Sequence, residues 1–194
     1  MTGWTRVNDL FGSSARGLQV SGNKAQNSAV GASADVYTAS IFAADQEAWT
    51  PLLAIGGGVD SSGVLLRITD PTGTPQGYST LAFKGSGIIQ VYRINGDSNH
   101  TQLGANISQT ISNGDSIGAS IIGSMITVYY KVGAGAWIPL DTRTDATYSS
   151  AGYLGLWADG GSIGSAQFSS FGGGAVNNVI EVGLHVPPPM FLGM

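Results

Sequence analysis

The chain has 194 residues, a formal net charge of −4 and a pI near 4.8. Charged residues make up only 10% of it, against roughly 25% in an average soluble domain, while 42% are hydrophobic. That balance excludes a disordered chain, which lacks core material, and a non-specific nucleic-acid binder, which needs clustered Lys and Arg.

The eight basic residues (Arg6, Arg16, Lys24, Arg67, Lys84, Arg93, Lys131, Arg143) are spread along the chain without a run. Cysteine is absent, so disulfides and thiolate metal sites are out, which fits a reducing compartment. No window approaches the roughly 18 apolar residues of a membrane span. The opening MTGWTRVNDLFGSSARG gives no expectation of a signal peptide.

Leu18–Val20 begins the regular structure, followed by a turn at Ser21-Gly22-Asn23. Asp35–Phe42 (DVYTASIF) is rich in strand formers. Ala43–Trp49 (AADQEAW) has helix-like composition and is read as a surface loop or helical turn, with Pro51 close behind. Leu52–Ile55 runs into Gly56-Gly57-Gly58. Val64–Ile68 is a strand, and Asp70–Pro75 a turn. Thr80–Phe83 and Ile88–Asn95 follow, the second ending in the hairpin signal Asn95-Gly96.

Gln102–Gln109 is a weaker strand. After Asn113-Gly114-Asp115 come Ser116–Ile122, Met125–Lys131 and Trp137–Asp141. Met125–Val132 alternates: Ile126, Val128, Tyr130 and Val132 take one face, Met125, Thr127, Tyr129 and Lys131 the other, the period of a strand with one face in a core. Tyr153–Trp157 and Ile163–Phe171 complete the series. Gly172-Gly173-Gly174 reads as a break before a last strand at Val179–Val186.

Many short strands at spacings of about 8–12 residues predict an all-β, antiparallel two-sheet sandwich or jelly roll. Residues 1–174 are its domain, and 175–194 a terminal strand and arm. Pro187, Pro188 and Pro189 stiffen that arm into an extended form, and Met190, Phe191 and Leu192 give it an apolar tip. The tip either folds back on its own domain or docks on a neighbouring subunit.

The order of the Gly114-Asp115 turn, Ile126–Tyr130, Thr147-Tyr148, Gly152, Gly155-Leu156 and the closing Phe168 and Phe171 resembles the concanavalin A-like lectin/glucanase superfamily. Within it, the pattern is most similar to laminin-G-like jelly-roll modules of bacterial and bacteriophage proteins, over roughly residues 4–172. The family's Asp-x-Phe-Asn/Asp opening is reduced here to Trp4 and Asn8-Asp9.

The resemblance implies a jelly-roll fold and leaves the activity open. The superfamily's glucanases carry a Glu-x-Asp-x-x-Glu cluster on one strand. This chain has two glutamates, Glu47 and Glu181, and no such cluster; Asp45 with Glu47 is the nearest approach to a carboxylate pair. His100 and His185 stand far apart and are read as solvated or satisfied side chains. The expectation is therefore a non-enzymatic protein. Calcium, which laminin-G-like domains often hold on one rim, would draw on Asp60, Asp97, Asp115 or Asp159, each equally a turn-former. No cofactor is expected.

For a sugar, the available stacking rings are Trp49, Tyr78, Trp137 and Trp157. The leading expectation is a structural protein of a bacteriophage virion, assembled in the host cytoplasm: a capsid decoration, fibre or tail component whose partners are its own copies or other virion proteins. The alternative is a carbohydrate-binding module of a secreted or surface protein. The two meet if a virion protein grips a host-surface glycan.

Overall fold

The computed structural model describes residues 1–8, 16–57, 60–96 and 98–176. Among them there is no helix, so none that could cross a membrane. The strands are β1 (Trp4–Arg6), β2 (Leu18–Ser21), β3 (Lys24–Asn27), β4 (Gly31–Phe42), β5 (Gln46–Pro51), β6 (Ser61–Thr69), β7 (Gln76–Phe83) and β8 (Ile88–Asn95). They continue as β9 (His100–Gln102), β10 (Ile107–Ser108), β11 (Ser116–Ile122), β12 (Met125–Lys131), β13 (Ile138–Thr144), β14 (Gly152–Gly160), β15 (Gln167–Phe168) and β16 (Gly172–Ala175).

Two sheets face each other. The larger has eight strands, in the order β1-β4-β14-β6-β7-β8-β10 with β9 also on β8; the smaller has five, β13-β12-β11-β5-β16. A three-stranded sheet, β15-β3-β2, completes the described architecture. All pairings are antiparallel. The jelly-roll expectation holds.

Side-chain alternation builds the interior. Ala48, Ile117, Ala119, Ile121, Ile126, Val128 and Tyr130 from the smaller sheet meet Val64, Leu66, Tyr78, Ala82, Ile89, Val91, Leu154 and Leu156 from the larger one. Each such aliphatic side chain contributes on the order of 1.5–3 kcal/mol on burial. A second buried cluster lies on the opposite face of the larger sheet: Val36, Leu65, Ile68, Leu81, Ile94 and Trp157, with Tyr92 and Tyr153 packed against it. The larger sheet is thus apolar on both faces.

One end of the sandwich is closed by polar side chains. At the irregularity between Leu66 and Thr69, Arg67 takes φ of 50° and turns its side chain inward, where it is 1% exposed. Its guanidinium donates to the carbonyls of Ala44, Gly123 and Tyr148, and its backbone N–H to Gln46 Oε1. Beside it, Tyr78 donates to Asp145 Oδ1, Arg93 to Asp145 Oδ2 and Thr147 Oγ1, and the Tyr148 N–H to the Tyr78 hydroxyl. The Thr147-Tyr148 motif is therefore a clamp between the sheets.

Four segments differ from the sequence reading. Gln46–Pro51, expected as a loop or helical turn, is a strand between β11 and β16. The Gly172–Gly174 break is edge strand β16. Gln102–Gln109, expected as one weaker strand, is split between the end of β9 and the two residues of β10, and Ile163–Phe171 contributes only the two residues of β15 as a strand. In the first two, sheet pairing overrides local propensity. The strand expected at Val179–Val186 and the arm at Pro187–Leu192 lie outside the described residues.

Candidate functional site

The four rings expected to meet a sugar separate into two pairs. Tyr78 is 0% exposed in the intersheet core, with its hydroxyl in the clamp, and burial pushes its pKa up to about 12. Trp157 is 2% exposed in the cluster on the other face of the larger sheet, where Nε1 donates to Ser61 Oγ at 2.9 Å. Neither ring face is open to a ligand. Both are removed from the candidate set, because close packing leaves no plane for a pyranose.

Trp49 and Trp137 come together on the outer face of the smaller sheet. Ala48 points into the core, so Glu47 and Trp49 on either side of it point outward. Trp49 pairs across with Gly118 of β11 and Gly172 of β16, and Gly118 pairs in turn with Tyr129 of β12. Trp137 reaches this face from the β12–β13 connection. Its ring lies 6.3 Å from that of Trp49, edge to face at 63°, and Lys131 Nζ stands 5.6 Å from its centroid.

Two glycines make this arrangement fit. A Cβ on Gly172 would lie 2.3 Å from Trp49 Cε2, so the indole rests on bare backbone. A Cβ on Gly118 would stand 3.1 Å from Trp49 Cβ and 3.4 Å from Trp137 Cη2. The glycines read as a break in the sequence are the seat of the tryptophan.

Polar groups on this face are under-used. Trp49 Nε1 is buried without a hydrogen-bond partner. Glu47 is 6% exposed, and no donor among the described residues bonds to it. Burial alone pushes its carboxyl up to about 7. Across from it stand Ser120, then Thr127, whose hydroxyl is 3.4 Å from that of Thr142. Gly174 flanks Glu47 on β16, and a Cβ there would meet nothing within 4 Å. Stacking surfaces, a neutral hydroxyl row and unfilled hydrogen-bonding groups can together take up a polar ligand with flat apolar faces.

The other acidic residues are engaged. Asp115, of the Gly114-Asp115 turn, accepts from Ser112 N, Tyr130 Oη and Gly133 N. Asp60 accepts from Gly161 N, and its charge adds to the burial that raises the Asp159 pKa. Asp45 accepts from Gly123 N and lies 3.6 Å from Arg67. No group of three or more metal-ligating side chains occurs among the described residues, and Asp97 lies outside them. His100, packed on Tyr92, is pushed down to about 4 by burial; His185 lies outside the described residues.

Comparison with known proteins supports the fold. No family model matches the chain, and no curated protein matches it in sequence. Among solved structures, the carbohydrate-binding module CBM66 from Bacillus subtilis is similar over 91% of this chain and 94% of its own, at 15% identity and a TM-score of 0.63. The exoplasmic/lumenal domain of VIP36, in a form bound to Ca2+ and Man2, is similar over 94% of this chain and 84% of its own, at 12% identity and a TM-score of 0.65. A legume lectin-like domain from Entamoeba histolytica covers 90% of this chain and 91% of its own, at 16% identity and a TM-score of 0.58. The fold is the concanavalin A-like lectin jelly roll. At such identities the likeness extends to the fold and no further.

Proposed function

We propose that the chain is a carbohydrate-recognition module that binds a glycan on the outer face of its smaller sheet. The observation that carries this is the pairing of Trp49 and Trp137 beside a buried Glu47 that no donor among the described residues satisfies. The similar solved proteins, a carbohydrate-binding module and a mannose-bound lumenal domain, favour the same class.

Binding is favoured over hydrolysis because most glycosidases need two carboxyl groups about 5–10 Å apart. Here β5 supplies Glu47 to this face, β11, β12 and β16 contain no acidic residue, and Asp141 of β13 is paired with Arg143 at 2.6 Å.

The test is retention on a glycan array, with Trp137→Ala as the variant. The wild type is expected to bind a defined glycan subset, and the variant to lose about tenfold in affinity, or roughly 1.4 kcal/mol, at an unchanged circular dichroism spectrum. Absence of any retained glycan, or equal retention by the variant, overturns the reading.

The virion role stays a proposal beside it, supported by scarce charge and by the uncharged Pro187–Leu192 segment. It predicts that deleting residues 187–194 lowers the oligomeric size in light scattering. An unchanged size removes the arm from assembly.

A further inference from the structure

Every other acidic side chain described above has a partner inside the protein. Asp115 accepts from three donors, Asp145 is met by Tyr78, Arg93 and the Thr147 backbone N–H, and Asp60 by Gly161. Asp35, raised to about 6 by burial, accepts from Leu18 and faces Arg6, although its Oδ1 is left without a partner. Glu47, as buried as Asp115, has no donor at either oxygen and no facing cation among the described residues. A carboxylate taken from water without donors is costly, so a group left in this state can be satisfied by a ligand instead.

We infer that Glu47 is the specificity-determining acceptor of this face, receiving hydroxyl hydrogens from a neutral pyranoside stacked on Trp49 and Trp137, with an affinity that rises as pH passes through neutrality. The inference rests on the glycan reading and adds to it the ligand class and its regulation.

Neutrality of the sugar follows from the charges around the platform. Lys131 above the Trp137 ring opposes a cationic amino sugar, and Glu47 itself opposes a sugar acid. Adjacent hydroxyls of a neutral ring can bond both carboxylate oxygens, and such charge-assisted bonds are roughly twice as strong as neutral ones. The open backbone at Gly174 leaves room beside the carboxylate.

The groups that face Glu47 leave it the main titrating residue of the site. On β11 it meets Ser120, on β16 Gly174, and beyond them Thr127 and Thr142. Lys131 and Tyr129 lie on the same outer face from β12. Asp45 is held by Gly123 and Arg67, and Asp141 by Arg143 at 2.6 Å.

The sign is fixed by burial. A carboxyl raised from 4.5 to about 7 stays protonated in the folded protein where the unfolded chain has already ionised. Its stability contribution is fully present below about 4.5 and is lost as pH rises through about 7. A ligand that donates to the ionised form opposes that loss and binds best above 7.

The probes are methyl β-D-glucopyranoside, D-glucosamine and the glycan the array retains, titrated calorimetrically from pH 5.5 to 8.5 against wild type and Glu47→Gln. The wild type should bind the retained neutral glycan at least tenfold more tightly at pH 8.5 than at pH 5.5, since a carboxyl titrating near 7 is about 3% ionised at the lower value. Glu47→Gln should bind weakly at both. Its melting temperature relative to wild type should climb with pH over the same range, which shows that the variant folds and that Glu47 titrates there. His100, pushed down to about 4, and Asp35, pushed up to about 6, act alike in both proteins and cancel in the difference.

Glycan binding that is flat with pH and untouched by Glu47→Gln overturns the inference while leaving the glycan reading intact. Preference for glucosamine overturns the ligand class. No binding of any sugar at any pH overturns the glycan reading itself.

Discussion

Trp157 and Trp49 both point away from the intersheet core, one from the larger sheet and one from the smaller, and the protein treats them in opposite ways. Trp157 is enclosed by Leu65, Leu81 and Val36, and Nε1 has Ser61 as its acceptor. Trp49 lies half-buried on Gly172 with Nε1 unpaired, next to a carboxylate in the same condition. Stability is served by satisfying a buried polar atom, binding by leaving one to be satisfied later. For these two rings the difference is sharper than exposure, although buried hydroxyls of the larger sheet, those of Ser62, Ser79 and Thr80, also lack partners.

The sharpest way to break that division is to remove each ring. Trp157→Ala should cost about 3–5 kcal/mol, the range for an aromatic deleted from a packed interior. Trp137→Ala should cost only about 1 kcal/mol, the worth of an exposed-edge aromatic contact. Urea unfolding of the two variants measures both. Comparable losses would make the outer face of the smaller sheet a second core and remove the site.

Much of the scaffold could be read from the chain. Met125–Lys131 and Ser116–Ile122 are strands at the expected bounds, with Ile126, Val128 and Tyr130 inward and Tyr129 and Lys131 outward, whereas Val132, grouped by the alternation with the inward set, lies beyond β12 and is exposed. The site was far less legible, because its central strand carries the wrong local signal. AADQEAW has the composition of a helical turn, so Glu47 and Trp49 could not be set on one face from sequence. Pairing with β11 and β16 makes the segment a strand. The three glycines at 172–174 hid the second half: lacking side chains, they read as a break, and only the pairing shows Gly172 making room for the indole. Trp157 illustrates the converse. Its phase opposite to Leu154 and Leu156 is visible in YLGLW, but the second apolar layer that buries it arises from residues far apart in the chain.

The smallest effect tests the principle behind the division. Ser61→Ala removes one oxygen from beneath a fully packed ring and leaves the Trp157 Nε1 hydrogen bond without its acceptor. The cost should be roughly 1–2 kcal/mol, the penalty for a buried donor that loses its partner. In a Trp157→Phe background the donor is gone, and Ser61→Ala should then cost only a few tenths, so the double-mutant cycle isolates the bond. Glycan affinity should be untouched in all three proteins, because Ser61 and Trp157 belong to the larger sheet and Trp49 to the smaller. A coupling energy near zero would mean that Trp157 is held by packing alone. An unpaired indole N–H would then no longer distinguish a binding tryptophan from a structural one, and only the half-exposed ring of Trp49 and its neighbour Glu47 would mark the site.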